Sequence, residues 1–235
     1  EMLRSLVGSE MCIRDSISIG AVSAVLYSRG YLEHYLRSKS PAHISLHYTA
    51  LVVMFYAMLG VVLSDGGFSF LFFWELMTVA SFLLILFDAQ RREVRRAALS
   101  YLIMMHIGFV LLVIGFVRLD AACGAATFGA LGDYFRTQPG LPLLLVFLAG
   151  FGMKAGLFPM HVWLPEAHPA APSHVSALMS GVMIKTGVYG ILRVTAALGE
   201  QPLLHTAGVI LLAAGVVTGL WLSLIHISEP TRLLS

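Results

Sequence analysis

Apolar stretches of about 20 residues, the length of a helix that crosses a bilayer, recur along the whole chain. They cannot all be wrapped around the core of a water-soluble domain, because too few polar residues remain to cover it. Only 12% of the 235 residues are charged and 58% are hydrophobic, whereas a soluble domain carries about 25% charged residues. A lipid bilayer removes the conflict. Inside it the backbone finds no water, so a spanning segment must be an α-helix or a strand of a closed barrel. The apolar runs are continuous and do not alternate with a period of two, which selects helices. The expected fold is an all-α, polytopic membrane bundle of about seven transmembrane helices.

The seven segments lie at roughly 17–36, 45–64, 68–87, 98–117, 141–160, 173–198 and 203–224. The first is weak, interrupted near its end by Arg29, Glu33 and His34. Short connections make residues 17–222 one transmembrane domain. Arg91, Arg92, Arg95 and Arg96 crowd the loop after the third segment, and Arg37 and Lys39 precede the second. Span counting puts both loops on one side, which the positive-inside rule makes the cytoplasmic one. The Asp65-Gly66-Gly67 turn and the 119–140 loop, with Asp120, Asp133 and Arg136, then face the other way. Residues 1–16 are polar ahead of a weak span, and residues 223–235 break off the seventh. Both ends resemble translated adapter sequence and are expected to be a non-native leader and tail; a genuine divergent start and an amphipathic tail are the alternative.

Several chemistries find no support. A net charge of +2 is too small to suggest nucleic acid. Cys12 and Cys123 make neither a disulfide framework nor a metal pair. No P-loop, dinucleotide-type glycine loop or iron–sulfur cysteine cluster is present. No cofactor and no metal are therefore expected in this chain, and any redox chemistry belongs to another one.

Against this background three charges stand out, because an ionised side chain at mid-bilayer costs about 2.5–3.5 kcal/mol on insertion scales. Glu75, Lys154 and Lys185 together would cost roughly 8–10 kcal/mol if left unpaired in lipid. They are expected to face one another, backbone carbonyls or water inside the bundle. Glu75 falls about eight residues into the third segment, close to mid-membrane. Desolvation favours its neutral acid and a nearby lysine its carboxylate, so it can load and release a proton near neutral pH. The alternative is an anchor that pins two helices.

Lys154 lies deep in the fifth segment among Gly150, Gly152, Gly156 and Pro159, all poor helix propagators. A broken helix is tolerated in a membrane only where it lines a cavity, and transporters place ion sites at such breaks. A buried lysine there can shed its proton; a lysine snorkelling from a helix end is the other possibility. Lys185 is near the middle of the sixth segment, and helical steps back from it reach Gly181, Leu178 and His174. This stripe is expected to face the bundle interior, with Gly181 admitting a neighbouring helix and His174 about 16 Å away towards the cytoplasmic end.

The connection between these helices, Met160 to His174, carries three prolines and three histidines. Histidine titrates at physiological pH, which suits a proton relay, and His161, His168 and His174 are candidates for one, with interfacial hydrogen bonding as the alternative. Spacings of seven and six residues match no compact zinc pattern. His106, mid-span in the fourth segment, is a weaker relay candidate.

The run Gly152-Met153-Lys154-Ala155-Gly156, followed by residues 161–181 (HVWLPEAHPAAPSHVSALMSG), resembles the antiporter-like, proton-translocating subunits of respiratory complex I, multisubunit sodium/proton antiporters and membrane-bound hydrogenases. Within that superfamily it is most similar to the branch of hydrogenase-4 component B and the matching formate hydrogenlyase subunit. The resemblance covers about residues 17–222. It implies two inverted five-helix repeats, each forming a half-channel, of which this chain would carry the first. It also implies that Glu75 is the key glutamate of a channel-lining helix, Lys154 the lysine of a discontinuous helix and Lys185 the connecting lysine. The chain would be a non-catalytic pumping subunit of an oxidoreductase complex in a prokaryotic inner membrane, with a complex I-type subunit, a sodium/proton antiporter subunit or a non-pumping membrane scaffold as the alternatives. Its partners would be other membrane subunits and peripheral redox subunits.

Overall fold

The computed structural model describes residues 2–36 and 39–228, with side chains placed for 11–36 and 39–221. Arg37 lies outside the described residues. Every apolar segment is helical. In chain order the helices are α1 (Met2–Glu33), α2 (Pro41–Leu63), α3 (Gly67–Ile85), α4 (Arg92–Cys123), α5 (Ala130–Thr137), α6 (Gly140–Ala155), α7 (Leu164–Ala170), α8 (Ser173–Leu178), α9 (Ile184–Ala197) and α10 (Pro202–Ser228). Local chemistry sets several of the ends. The Ser40 hydroxyl accepts the His43 N–H at 3.3 Å and proline opens the first turn of α2. Gly124, at φ +68°, closes α4 through its N–H to the Asp120 carbonyl.

Among the described residues, six spans are long and apolar enough to cross a membrane: α2, α3, α4, the broken span from α6 through α7, the span from α8 through α9, and α10. Residues 2–16 continue into α1 as one helix. This helix is not among the six, since Asp15 and Arg29 leave only a short apolar run between them. Two loop expectations need correction. Arg92, Arg95 and Arg96 are already in α4, and the 119–140 loop contains the end of α4 and the short α5.

α2 and α3 form a hairpin around the Asp65 turn. Arg193 of α9 clamps this turn, donating to the Ser64 carbonyl at 2.6 Å and to Asp65 Oδ1 at 2.9 Å, with its guanidinium 3.8 Å from the Phe128 ring centre. At the opposite end Lys39 meets Asp88 at 2.8 Å, so the turn before α2 and the turn after α3 share the arginine-rich side. Gly108 of α4 and Gly150 of α6 bring two backbones together. A methyl on either would sit about 3 Å from the other's carbonyl oxygen. Large apolar side chains such as Leu63, Phe72 and Leu212 are exposed, as lipid-facing positions require. α10 rests on the outside of the bundle, where Thr218 accepts the Phe158 N–H at 2.9 Å.

Two irregularities position the site. After Ala155 the chain turns at Gly156 (φ +71°), passes a cis Phe158–Pro159 bond and a 3-10 turn over Met160–Trp163, and resumes in α7. Between α8 and α9, residues Met179–Met183 form a π-helical turn.

Candidate functional site

Lys154 is 1% exposed, and its ammonium donates to Thr78 Oγ1 at 3.0 Å while lying 4.5 Å from the Trp74 ring centre. The break expected around this lysine is present, but closer than its sequence implies: α6 ends one residue later, so Lys154 occupies the last helical turn. Carbonyls at a helix C-terminus favour a cation, and Trp163 Nε1 satisfies one of them, that of Met153, at 2.9 Å. The lysine does not snorkel, because its nitrogen points into the bundle between α3 and α6. Gly187 of α9 makes the close approach. A Cβ there would lie 2.6 Å from the Ala155 nitrogen and 2.9 Å from the Phe151 oxygen. Gly181, expected to fill that role, has open space around it.

Glu75 is not in contact with Lys154. Its Oε1 lies 3.0 Å from His106 Nε2, and its buried Oε2 has no hydrogen-bond partner. It stands about one turn along α3 from Thr78, the hydroxyl that Lys154 contacts. His106 Nδ1 is 2.9 Å from the Leu102 carbonyl, which can only accept, so Nδ1 carries hydrogen. The contact at Nε2 then holds one proton, either on an imidazolium facing a carboxylate or on a carboxylic acid facing an imidazole. His106, the weaker candidate by sequence, is thus the direct partner of Glu75.

Lys185 does not belong to this interior. A straight helix would place His174, Leu178, Gly181 and Lys185 on one face, but the π turn holds one extra residue. The buried row becomes His174, Leu178, Val182 and Thr186, and Lys185 is exposed. A π turn adds backbone without any marker in composition, so counting by 3.6 passes over it.

The three loop histidines occupy separate places. His161 is buried against Phe158, with ring centres 5.6 Å apart, and its Nδ1 has no partner. His168 Nδ1 pairs with Ser176 Oγ at 3.0 Å. His174 meets His47 of α2, Nε2 to Nε2, at 2.8 Å. No direct hydrogen bond joins the three among the described residues. His47 and the hydroxyls along α3 were missed by sequence. Ser81 Oγ is 2.6 Å from Tyr101 OH, and with Thr78 it forms a polar row running from Lys154 towards the arginine-rich end. The signals were present: His43 and His47 four residues apart at the start of an apolar span, and Thr78 and Ser81 three apart within another. No group of three or more metal-ligating side chains occurs among the described residues.

Known proteins resemble this chain in sequence, and a solved structure resembles it in its arrangement of helices. An uncharacterized protein of Mycobacterium tuberculosis is 41% identical over 207 residues, which cover 86% of this chain and 31% of that protein. Hydrogenase-4 component B of Escherichia coli is 36% identical over 210 residues, covering 87% of this chain and 30% of its own. A chain of the membrane-bound sulfane sulfur reductase, an archaeal respiratory membrane complex, superposes with a TM-score of 0.66 at 28% identity, over 81% of this chain and 30% of that one. This chain therefore spans under a third of the length of these relatives. A sequence profile described as NADH:quinone oxidoreductase/Mrp antiporter, transmembrane, matches residues 64–230, and this chain belongs to that family of membrane subunits.

Proposed function

We propose that this chain is part of a proton-translocating subunit in a redox-driven membrane complex of the hydrogenase-4 or formate hydrogenlyase type, and that it carries the input half of the proton path. The observation that carries the reading is Lys154, fully buried at the end of a broken helix, with one hydroxyl and one ring face as its partners. An ammonium has three donors and here uses one on protein, so it is held loosely enough to give its proton to water or to a neighbouring group. The unpartnered Oε2 of Glu75 is such a neighbour. In this reading Glu75 alternates between His106 and Lys154, and a shift imposed by partner subunits toggles the lysine between ammonium and amine. The row of Thr78, Ser81 and Tyr101 supports a connection to the arginine-rich side, the cytoplasmic side by the positive-inside rule.

The test uses the full-length protein in its complex, reconstituted in liposomes. Lys154→Ala is expected to abolish proton pumping while electron transfer continues at least in part; unchanged pumping would overturn the reading. Membership of a family that includes Mrp antiporters favours a second reading, an antiporter subunit exchanging sodium for protons. Transport that requires sodium would select it. A non-pumping scaffold instead predicts no effect from neutralising Glu75 or Lys154.

A further inference from the structure

Away from Lys154, at the arginine-rich end, α2 and α8 bring two imidazoles together. His47 and His174 are 4% and 2% exposed, their Nε2 atoms are 2.8 Å apart, and both Nδ1 atoms are buried without a partner. A contact between two Nε2 atoms needs one hydrogen between them, donated by one ring to the lone pair of the other. With both rings neutral they must therefore be opposite tautomers: the donor ring has a bare Nδ1 and the acceptor ring carries Nδ1–H. One extra proton can be added at the bare Nδ1 without disturbing the contact. A second cannot, because the only site left is the Nε2 lone pair already used by the hydrogen bond.

The surroundings leave such a proton mobile. From α1, Tyr27 and Tyr31 face His174, with ring centres 6.4 and 5.4 Å away. On α2 the neighbours are Tyr48, whose ring is 6.2 Å from that of His47, and His43, whose Nε2 is held by the Phe87 carbonyl at 2.9 Å. Asp88 and Lys39 are engaged with each other. Among the described residues no carboxylate comes within ion-pair reach of either imidazole, so nothing holds the added charge permanently. A cavity of about 360 Å³ between α1 and the helix of α8 and the π turn opens beside His174, with Ser23, Tyr27 and Ser173 set in an otherwise apolar wall. It is large enough for several waters.

We infer that His47 and His174 form a one-proton store at the mouth of the pathway, with His174 on the side of this cavity. A proton arriving at one Nδ1 makes an imidazolium; the shared hydrogen crosses from Nε2 to Nε2, and the other ring releases its Nδ1 proton. One proton enters, one leaves, and the tautomers are exchanged. This role rests on the translocation reading above and adds His47, in which sequence reading saw no function.

The test has two parts on the full-length protein. In nanodiscs with 15N-labelled histidine, both imidazoles are expected to titrate together, taking up one proton between them; two separate uptakes of one proton each would overturn the store. In proteoliposomes, His47→Gln is expected to slow proton translocation roughly tenfold or more and to alter its pH profile, with Lys154→Ala as the control. If Lys154→Ala abolishes pumping while His47→Gln keeps the wild-type rate and profile, the store is wrong and the translocation reading stands. If Lys154→Ala pumps normally, the translocation reading fails first.

Discussion

Gly187 and Gly181 lie six residues apart on the same helical rod, and substitution by alanine should separate them cleanly. A Cβ at Gly187 meets the Ala155 nitrogen at 2.6 Å and the Phe151 oxygen at 2.9 Å, where ordinary contact begins near 3.4 Å. Both atoms are backbone and cannot rotate away, so α9 and the end of α6 must part by roughly 0.8 Å. Forcing a methyl into a packed interior costs about 1–3 kcal/mol. Gly181→Ala meets nothing within 4 Å. Both variants share the gain of alanine over glycine in a helix, about 1 kcal/mol, so the difference between them isolates the clash. Gly187→Ala should be less stable than Gly181→Ala by about 1–3 kcal/mol. The displaced segment carries Lys154, whose contact with Thr78 at 3.0 Å is lost once stretched past about 3.5 Å. Misplacement on the ångström scale can cost a catalysed step about a hundredfold, so pumping should fall with Gly187→Ala and persist with Gly181→Ala. Unfolding of the purified full-length protein in detergent and proton uptake by proteoliposomes measure the two effects. Equal stability and equal pumping in the two variants would refute the packing at the end of α6.

Two other outcomes follow from contacts described above. Glu75→Gln and His106→Gln should each slow pumping, and the double variant should pump no more slowly than the worse single one, because the two share one proton; additive losses in a double-mutant cycle would separate them. Arg193→Ala removes a carbonyl cap, an ion pair and a ring contact at the Asp65 turn. It should destabilise the protein by about 2–4 kcal/mol in a thermal unfolding assay, mostly through the buried carbonyl left unpaired, while Asp65→Asn should cost under about 1 kcal/mol because Asp65 is exposed.

Much of this architecture is written in short-range pattern. Lengths of apolar runs gave the helices, and the glycines and proline around Lys154 gave the break, because both are properties of a few neighbouring residues. What escaped depends on two kinds of distant information. The first is pairing: His47 and His174 are 127 residues apart and Glu75 and His106 lie on successive helices, so only the packing of the bundle joins them. The intramembrane charges are expected from sequence to face one another, backbone carbonyls or water, but for Glu75 a histidine one helix away is the partner. The second is register. One extra residue in the π turn rotates everything beyond it, moving Lys185 out and Thr186 in. A period of 3.6 carried through that turn inverts the assignment.

The same rotation bears on how a path through the chain would run. Lys154 and Lys185 sit on different sides of α9: one reaches Thr78 and Trp74 in the core, the other projects from the described bundle. A long ammonium side chain at mid-span is costly facing lipid, so its exposed face requires cover or water. Under the proposed translocation, a proton leaving Lys154 therefore has to pass across α9 rather than along it. The buried face there offers Thr186, whose hydroxyl is already donated to the Met183 carbonyl at 2.7 Å but still has lone pairs to accept with.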